Sequence, residues 1–365
     1  MRILIYNWRD LAHPKAGGAE VYTDQIARHW VAAGHDVTLF CSAVDGKSER
    51  ETVDGGYQVV RRGGPHGVYG EARKYWEREA RGHFDLVIDE VNTRPFGCPR
   101  WVTEVPVIAL IHQVAREIWF HETLWPIAMV GRYWLEPHWL APYRDIPTVT
   151  LSESSRQSLR NYGLRNVAVV PVGFDPLAIT EPLPTKEPTP TFVFVGRLAW
   201  NKRPHDAIEA FSFARNEMPN ARLWVIGTGP MEQKLRERAT PGVEFLGWVD
   251  EKDKLNRIAR SHALLVTSVR EGWGLVVTEA ASAGTLSIGY NVPGLRDSIA
   301  ASGGILVNPQ PNDLGSTLIA KLPALLAGAH RVAPGGVTSW AQVATSVLAN
   351  APAFDPTEGQ IRSAT

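Results

Sequence analysis

The chain has 365 residues, and its 38 basic side chains equal its 38 acidic ones, so the formal net charge is zero. This length favours two domains, each with a core of its own. The balanced charge gives no electrostatic sign of nucleic-acid binding, and two cysteines are too few for a disulfide framework.

The cysteines, Cys41 and Cys98, show neither CxxC spacing nor a cluster with histidine, so no metal site is expected. The first residues, MRILIYNW, read directly as a strand rather than as a signal sequence. No stretch approaches about 18 apolar residues. We therefore expect a cytoplasmic protein that is neither exported nor membrane-spanning, and a peripheral contact with the inner face of a membrane is compatible with this.

The first half of the chain alternates short β-rich runs with amphipathic or polar stretches. The runs are RILIYNW, DVTLFC, YQVV, FDLVIDE, PVIALI, PTVTL and VAVVPV. Such alternation predicts a parallel sheet covered by helices on both faces. We assign residues 1–173 to this first Rossmann-like domain.

A proline-dense segment, residues 174–190, interrupts the pattern and is typical of an extended linker. The alternation then resumes over residues 191–337, which we assign to a second Rossmann-like domain. Helical spacing of apolar residues returns between Ser339 and Asn350. The predicted fold class is therefore α/β, with two doubly wound domains. Ligands of such sheets bind beyond the carboxyl ends of the strands, so we expect the chemistry in a central cleft.

The loop after the first strand contains AGGAE, followed by a helix predicted from about Ala19 to Ala32. Gly17 and Gly18 allow close approach of a ligand, and the helix start supplies amide donors for an anion. The alternative is a plain turn. The GxGxxG spacing of a dinucleotide site is absent.

His112 follows the run PVIALI, where a side chain points beyond the carboxyl end of a strand. It could exchange a hydrogen bond or a proton with a substrate hydroxyl. The alternative is a histidine that caps the next helix.

The segment 119–143 is crowded with aromatic residues. These are Trp119, Phe120, Trp125, Tyr133, Trp134, Trp139 and Tyr143. They either form a surface that stacks on sugars or faces lipid, or they pack under a long loop.

The loop after TFVFVG reads GRLAWNKRP and places Arg197 and Lys202 between a strand and a helix. A planar guanidinium and a mobile ammonium together suit the oxygens of a diphosphate. The alternative is a pair of solvated surface cations.

The most informative segment is EGWGLVVTE, in which Glu271 and Glu279 are separated by seven residues. A strand, a glycine turn and a new helix place Glu271 at the turn and Glu279 within the helix. The amides of Gly272, Trp273 and Gly274 lie between them as donors at a helix start. Such a site suits a polyhydroxyl ring beside a phosphate.

Together these motifs resemble the family 4 glycosyltransferases, which are retaining enzymes of the GT-B fold. The resemblance covers nearly the whole chain and rests mainly on AGGAE, GRLAWNKRP, LGWVDEKDKL and SVREGWGLVVTEAASAG. It implies transfer of a sugar from a nucleotide-diphosphate sugar to an acceptor hydroxyl. The donor is a substrate, and neither a cofactor nor a metal is implied.

In the second domain the resemblance implies that Arg197 and Lys202 bind the donor diphosphate. Glu271 and the amides of Gly272, Trp273, Gly274 and Leu275 would bind sugar hydroxyls. Glu279 would bind the ribose, and the backbone near Trp248 and Val249 would face the base.

In the first domain Gly17 and Gly18 resemble the family's phosphate and sugar contact, and His112 resembles its histidine near the donor sugar. His112, Glu271, Arg197 and Lys202 are thus the expected catalytic set. The resemblance also implies that the carboxyl-terminal segment 338–365 crosses back to complete the first domain.

Three other readings stay open. A sugar phosphorylase or a nucleotide-sugar epimerase could use the same two-domain plan, and a non-catalytic protein could bind a nucleotide sugar without turnover. The acceptor, whether glycan, glycolipid or small glycoside, is not disclosed by the sequence.

Overall fold

The computed structural model describes residues 1–174, 182–328 and 338–352, and the chain forms two compact units. The first unit comprises Met1–Arg116, Pro126–Gly173 and the chain from Thr338 onward. The second comprises Glu117–Trp125 and Phe174–Val337.

The first unit is built on an eight-stranded sheet. Its strands are β1 (Arg2–Tyr6), β2 (Asp36–Cys41), β3 (Arg50–Thr52), β4 (Gln58–Arg61), β5 (Leu86–Glu90), β6 (Val107–Leu110), β7 (Thr148–Thr150) and β8 (Val167–Val169). Their spatial order is β3-β4-β2-β1-β5-β6-β7-β8, and all neighbours pair in parallel except β3 and β4. Most of the β-branched and aromatic residues of the apolar runs are buried in this sheet, as expected for parallel strands covered on both faces.

Helices cover this sheet. They are α1 (Gly18–Ala32), α2 (Val68–Tyr75), α4 (Trp125–Val130), which begins at the unit boundary, α5 (Glu136–Leu140), α6 (Glu153–Asn161) and α13 (Trp340–Leu348). The terminal helix α13 packs on α1: Trp30 Nε1 donates to the carbonyl of Ala344 at 2.9 Å, and the Trp340 ring meets the Tyr22 ring edge-on at 5.5 Å.

The second unit is built on a six-stranded, fully parallel sheet. Its strands are β9 (Thr191–Val195), β10 (Arg222–Ile226), β11 (Val243–Gly247), β12 (Ala263–Val266), β13 (Leu286–Tyr290) and β14 (Ile305–Val307). Their order is β11-β10-β9-β12-β13-β14. Alternation along β9 sends Phe192 and Phe194 into one apolar cluster and Val193 into the other, so both faces are covered.

Helices of the second unit begin with α3 (Ile118–Glu122), which comes from the first half of the chain. The others are α7 (Pro204–Arg215), α8 (Glu232–Arg238), α9 (Glu251–Arg260), α10 (Leu275–Ser282), α11 (Leu295–Ala301) and α12 (Pro311–Leu326). Helix α12 packs along α7.

The division of the chain differs from the predicted one at Glu117–Trp125. We assigned these residues to the first domain with the rest of 1–173, but they group with the second unit. The reason lies in their contacts, because α3 packs on the turn Trp200–Lys202.

The predicted linker, residues 174–190, is described only in part, since 175–181 lie outside the described residues. Its second half is bound to the second unit rather than free. Lys186 Nζ donates to the carbonyl of Ser261 at 2.6 Å and to Thr285 Oγ1 at 2.7 Å, and the amide of Glu187 donates to Arg260. Of the predicted terminal segment 338–365, residues 353–365 also lie outside the described part.

Candidate active site

The turn between β12 and α10 carries Glu271, the first of the two glutamates predicted as ligands. Gly274 precedes the helix with φ +92°, a left-handed conformation that favours glycine. The amide of Glu271 donates to the carbonyl of Pro293, and a Cβ at Gly294 would overlap the carbonyl oxygen of Glu271. Two glycines therefore allow the backbone to turn tightly at Glu271.

The carboxylate of Glu271 is held by two side chains. Its Oε1 forms an ion pair with Nζ of Lys202 and accepts a hydrogen bond from Ser268 Oγ at 2.6 Å. Lys202 and Glu271 are thus brought together, as two of the predicted catalytic residues, and Lys202 is not a freely solvated surface cation.

Lys202 is placed by the loop after β9. A single 3-10 turn, Trp200–Lys202, is tied to the loop after β12 because Thr267 Oγ1 donates to the carbonyls of Lys202 and Arg203 at 3.0 and 2.8 Å. The amide of Val269 also donates to the carbonyl of Asn201. The loop that carries Lys202 and the loop that carries Glu271 are therefore held together by hydrogen bonds.

Arg197, on the same loop, is exposed. Within the described chain its guanidinium has no ion pair or hydrogen bond, in contrast with Lys202. A solvated, unpaired guanidinium at a strand's carboxyl end is available to an anionic ligand without first breaking a pair.

The amides of Gly272, Trp273, Gly274 and Leu275 donate to no partner among the described residues. The first N–H groups of a helix lack intrahelical acceptors, and the helix dipole adds partial positive charge there. These four amides are therefore available to an anionic or hydroxyl-bearing ligand, and their role in binding one stays a prediction.

Glu279 lies in α10 and pairs with a residue that the sequence did not single out. Its Oε2 lies 2.9 Å from Nζ of Lys254 in α9. Burial raises the pKa of Glu279, while the Lys254 ammonium opposes that rise. The Glu279 carboxyl group is largely buried and fixed by Lys254, so its orientation as a hydrogen-bond acceptor is set before a ligand approaches.

The residues expected near the base follow β11. Trp248 is 78% exposed and Val249 is half-buried. An exposed indole of this size offers a flat apolar surface, as base stacking requires.

In the first unit Gly17 and Gly18 open α1, as predicted. The amide of Gly17 already donates to Oε2 of Glu20 at 2.6 Å, and Arg9 Nε donates to the other oxygen at 3.0 Å. Among the described residues the Gly18 amide has no acceptor. The free donors of this turn therefore begin at Gly18 rather than at Gly17.

His112 follows β6 and is 8% exposed. Its Nε2 lies 3.0 Å from Oε1 of Glu90, and the Tyr22 ring packs edge-on against the imidazole. The histidine is therefore held by a carboxylate rather than acting as a helix cap.

Glu90, at the end of β5, belongs to a buried polar network. Its Oε2 contacts Thr23 Oγ1, which accepts from Asn7 Nδ2 at 3.1 Å and lies 3.0 Å from the Ala19 carbonyl. Burial raises the pKa of Glu90, while its hydrogen bond with His112 opposes that rise.

The aromatic segment is mostly helical, so the alternative of a long loop is wrong. A π-helical stretch, Gly131–Leu135, joins α4 to α5. Tyr143 is buried and its hydroxyl donates to Asp89, whereas Tyr133 and Trp134 are 58% and 79% exposed. Part of the segment is core and part is apolar surface.

Sequence reasoning missed Lys254, Ser268, Glu90 and Thr23. Glu90 had a usable signal, because a carboxylate at the end of the buried strand LVIDE lies at the same sheet edge as His112. Lys254 had none, since contacts between α9 and α10 cannot be read from either helix alone. No cluster of histidine, cysteine or carboxylates suited to a metal ion occurs in the described residues.

Both halves of the chain match models of glycosyltransferase families. The model described as "Glycosyltransferase Family 4" matches residues 16–176, and that described as "Glycosyl transferases group 1" matches residues 178–322. Between them these matches span most of the chain.

Among curated proteins, the chain is 26% identical to a glycogen synthase of Mycobacterium tuberculosis over 396 residues, covering 95% of this chain and 93% of that protein. It is 24% identical to a GDP-mannose-dependent α-(1-6)-phosphatidylinositol dimannoside mannosyltransferase of the same species, with 82% of each covered.

Among solved structures, sucrose-phosphate synthase of Thermosynechococcus elongatus superposes with a TM-score of 0.77 at 18% identity and complete coverage of both chains. This likeness, with the two parallel sheets, confirms the predicted GT-B fold class.

Proposed function

Since the chain belongs to the family 4 glycosyltransferases, we propose that it moves a sugar from a nucleotide-diphosphate sugar to an acceptor hydroxyl with retention of the anomeric configuration and without a metal. The observation that carries this proposal is the Lys202–Glu271 pair beside four free amides. A cation on one loop, paired with a carboxylate and backbone donors on the adjoining loop, matches a ligand that is part anion and part polyol.

The donor would occupy the turn in a defined order. Arg197 and Lys202 bind the diphosphate oxygens, and Glu271 with the amides of residues 272–275 binds the sugar hydroxyls. Glu279 accepts hydrogen bonds from the ribose hydroxyls. The base faces the exposed indole of Trp248 and the backbone of Val249. Gly17, Gly18 and His112, in the first unit, stay predictions that rest on the family resemblance alone.

The rate enhancement rests on charge. As the bond between the anomeric carbon and the diphosphate oxygen breaks, negative charge builds on the leaving group. Preset cations and helix-start amides stabilise that charge more in the transition state than in the ground state. Arg197 supplies an unpaired guanidinium, and Lys202 exchanges Glu271 for phosphate oxygens.

The proposed mechanism that retains the anomeric configuration is front-face substitution. The acceptor oxygen bonds to the anomeric carbon on the face that the diphosphate leaves, and the acceptor's proton passes to a diphosphate oxygen. Glu271 is already held by Lys202 and Ser268, an arrangement that suits a hydroxyl ligand better than a nucleophile of a double displacement.

The decisive experiment is a screen of nucleotide sugars for thermal stabilisation, followed by turnover with the best donor. We expect Arg197→Ala and Lys202→Ala to lower kcat/KM by about 10²-fold or more. Arg222→Ala, at an exposed arginine of the same unit, serves as the matched control. Full activity in both site variants contradicts the proposal.

Five further readouts separate the finer statements of this proposal. Unchanged turnover in the presence of a metal chelator supports metal independence. The coupling constant of the product's anomeric proton in NMR tests retention. Activity with inorganic phosphate in place of a nucleotide indicates a phosphorylase, interconversion of the donor indicates an epimerase, and tight binding without turnover indicates a binding protein.

The acceptor is assigned to the lipid-linked class, in contact with a membrane surface. Ile127, Val130 and Trp134 recur at helical spacing and are 52%, 52% and 79% exposed. Interfacial tryptophan and tyrosine favour the headgroup region of a bilayer. The related mannosyltransferase of Mycobacterium tuberculosis is named for a phosphatidylinositol-based acceptor. Within the described chain no helix is long and apolar enough to cross a membrane.

This contact is tested by sedimentation with phosphatidylcholine vesicles. We expect Trp134→Ser combined with Ile127→Ser to abolish binding, whereas Leu326→Ser, at another exposed apolar site, leaves it unchanged. Equal sedimentation of all three proteins contradicts it. The buried free thiols of Cys41 and Cys98 suit a reducing compartment, and we place the reaction in the cytoplasm.

A further inference from the structure

Arg270, the residue before Glu271, is a buried cation. Its side chain is 4% exposed, and its Nε donates to Oε2 of Glu117 at 2.9 Å. A buried guanidinium must be compensated by carboxylates or hydrogen bonds. The position of Arg270, and with it the backbone that leads into Glu271, therefore depends on a carboxylate 153 residues earlier in the chain.

Glu117 begins the short segment that belongs to the second unit although its neighbours on both sides belong to the first. Helix α3 follows immediately and packs on the turn Trp200–Lys202. The segment therefore contacts both loops of the candidate donor site, one through Arg270 and the other beside Lys202.

The electrostatics of α3 agree with this placement. Burial lowers the pKa of His121, and the nearby guanidinium of Arg203 lowers it further. Arg203 directly follows Lys202, and its φ of +48° fixes the loop in a left-handed turn. The segment is thus close to the charged groups of the loop as well as to its backbone.

The residue that precedes Glu117 is held in place by hydrogen bonds within the first unit. Arg116 has φ +36°, and its amide donates to the carboxylate of Glu136 at 3.1 Å. The amide of Ala115 donates to the same carboxylate, which also accepts from the Tyr162 hydroxyl at 2.8 Å. Glu136 is 3% exposed, so the residue before Glu117 is held by a buried anchor.

We propose that Glu117 is a positioning residue for the donor: through Arg270 it fixes the turn that carries Glu271 and the free amides, while α3 fixes the turn that carries Lys202. The role in donor binding rests on the proposed function. The positioning itself rests only on the contacts of Glu117 and α3.

The test compares Glu117→Gln, at the residue before α3, with Glu122→Gln, a control at the exposed last residue of α3. We expect Glu117→Gln to weaken binding of the nucleoside diphosphate and to raise the donor KM by about tenfold, with a smaller change in kcat. Glu122→Gln should match the wild type. The exchanged pair Glu117→Arg with Arg270→Glu should restore most of the affinity.

Hydrogen exchange without ligand gives a second, independent readout. In Glu117→Gln the peptides that contain the Glu271 amide, which donates to Pro293, should exchange faster, while β9 and β10 remain protected. Unchanged exchange at that turn overturns the inference, as does a loss of protection spread evenly over the unit. A wild-type protein that binds no nucleotide refutes the proposed function, but the exchange comparison still decides whether Glu117 positions the turn.

Discussion

The ammonium of Lys254 lies 2.9 Å from Oε2 of Glu279 and 2.8 Å from Oε2 of Glu251. Burial disfavours the charged form of Lys254, but the carboxylates of Glu279 and Glu251 raise its pKa above the ordinary value. The same cation opposes the burial that raises the pKa of Glu279. Lys254 therefore opposes protonation of Glu279 and fixes the orientation of its carboxylate.

Replacing Lys254 by methionine should weaken nucleotide binding, because burial of Glu279 is then no longer opposed by a cation. When the pH is lowered, the variant should lose its affinity for the nucleotide at a higher pH than the wild type does. Calorimetric titration of a nucleoside diphosphate from about pH 5 to about pH 8 measures this. Lys252→Met, at an exposed lysine of α9, is the control. Identical pH profiles for the two variants argue against the role of Lys254.

Gly294→Ala should destabilise the second unit by about 3 kcal/mol, because a Cβ there overlaps the carbonyl oxygen of Glu271 and φ is +82°. Gly303→Ala provides the matched comparison. Its φ is +66° but a Cβ there meets nothing within 4 Å, so conformational strain alone should cost about 1–2 kcal/mol. Urea unfolding separates the two, and equal losses contradict the backbone contact.

The buried Glu90 should make stability depend on pH. Its folded-state pKa is raised, so the folded protein holds this proton more tightly than the unfolded chain, and its contribution to stability falls as pH rises from about 4.3 through the folded pKa. Glu90→Gln should remove this slope, which is at most about 1.4 kcal/mol per pH unit.

Unfolding in urea at several pH values measures the effect. Glu71→Gln is the control, because a hydrogen bond from exposed Lys74 lowers the pKa of Glu71. The contribution of Glu71 to stability therefore depends on pH in the opposite direction to that of Glu90. Parallel stability curves for the wild type and Glu90→Gln would show that the buried network does not perturb Glu90.

Trp340→Ala should destabilise the first unit by about 3–5 kcal/mol, because the indole is 6% exposed and packs on Tyr22. Ser346→Ala, at an exposed position of the same helix, should change stability by less than about 0.5 kcal/mol. Unfolding followed by fluorescence and by circular dichroism checks this, and a small loss for Trp340→Ala means that α13 contributes little to this unit.

Much of the fold was predictable because local pattern and tertiary environment agree. The run TFVFVG is buried on both faces, as its continuous apolar character indicates, and forms β9 beside β10 and β12. The start of α10 was equally clear, since Gly274 must adopt a conformation that favours glycine. In both cases one stretch of sequence contains the whole physical reason.

The remaining features depend on contacts between distant segments. Glu117 pairs with a residue 153 positions away, and no local pattern assigns it to the second unit. Lys254 has the same spacing from Glu251 as many exposed i, i+3 pairs, so its second partner, Glu279, was invisible. The pairing of Lys202 with Glu271 was also unforeseen, because the sequence places each beside its own part of the ligand.

Under the proposed function, that last pair would set the selectivity of the resting protein. While lysine and carboxylate neutralise one another, a lone phosphate that captures Lys202 leaves Glu271 with only its hydroxyl donor, and a free hexose that captures Glu271 leaves Lys202 without a counter-ion. Only a molecule that carries both an anion and a polyol compensates the two at once. The closed pair thus disfavours abundant fragments of the donor before any chemistry begins.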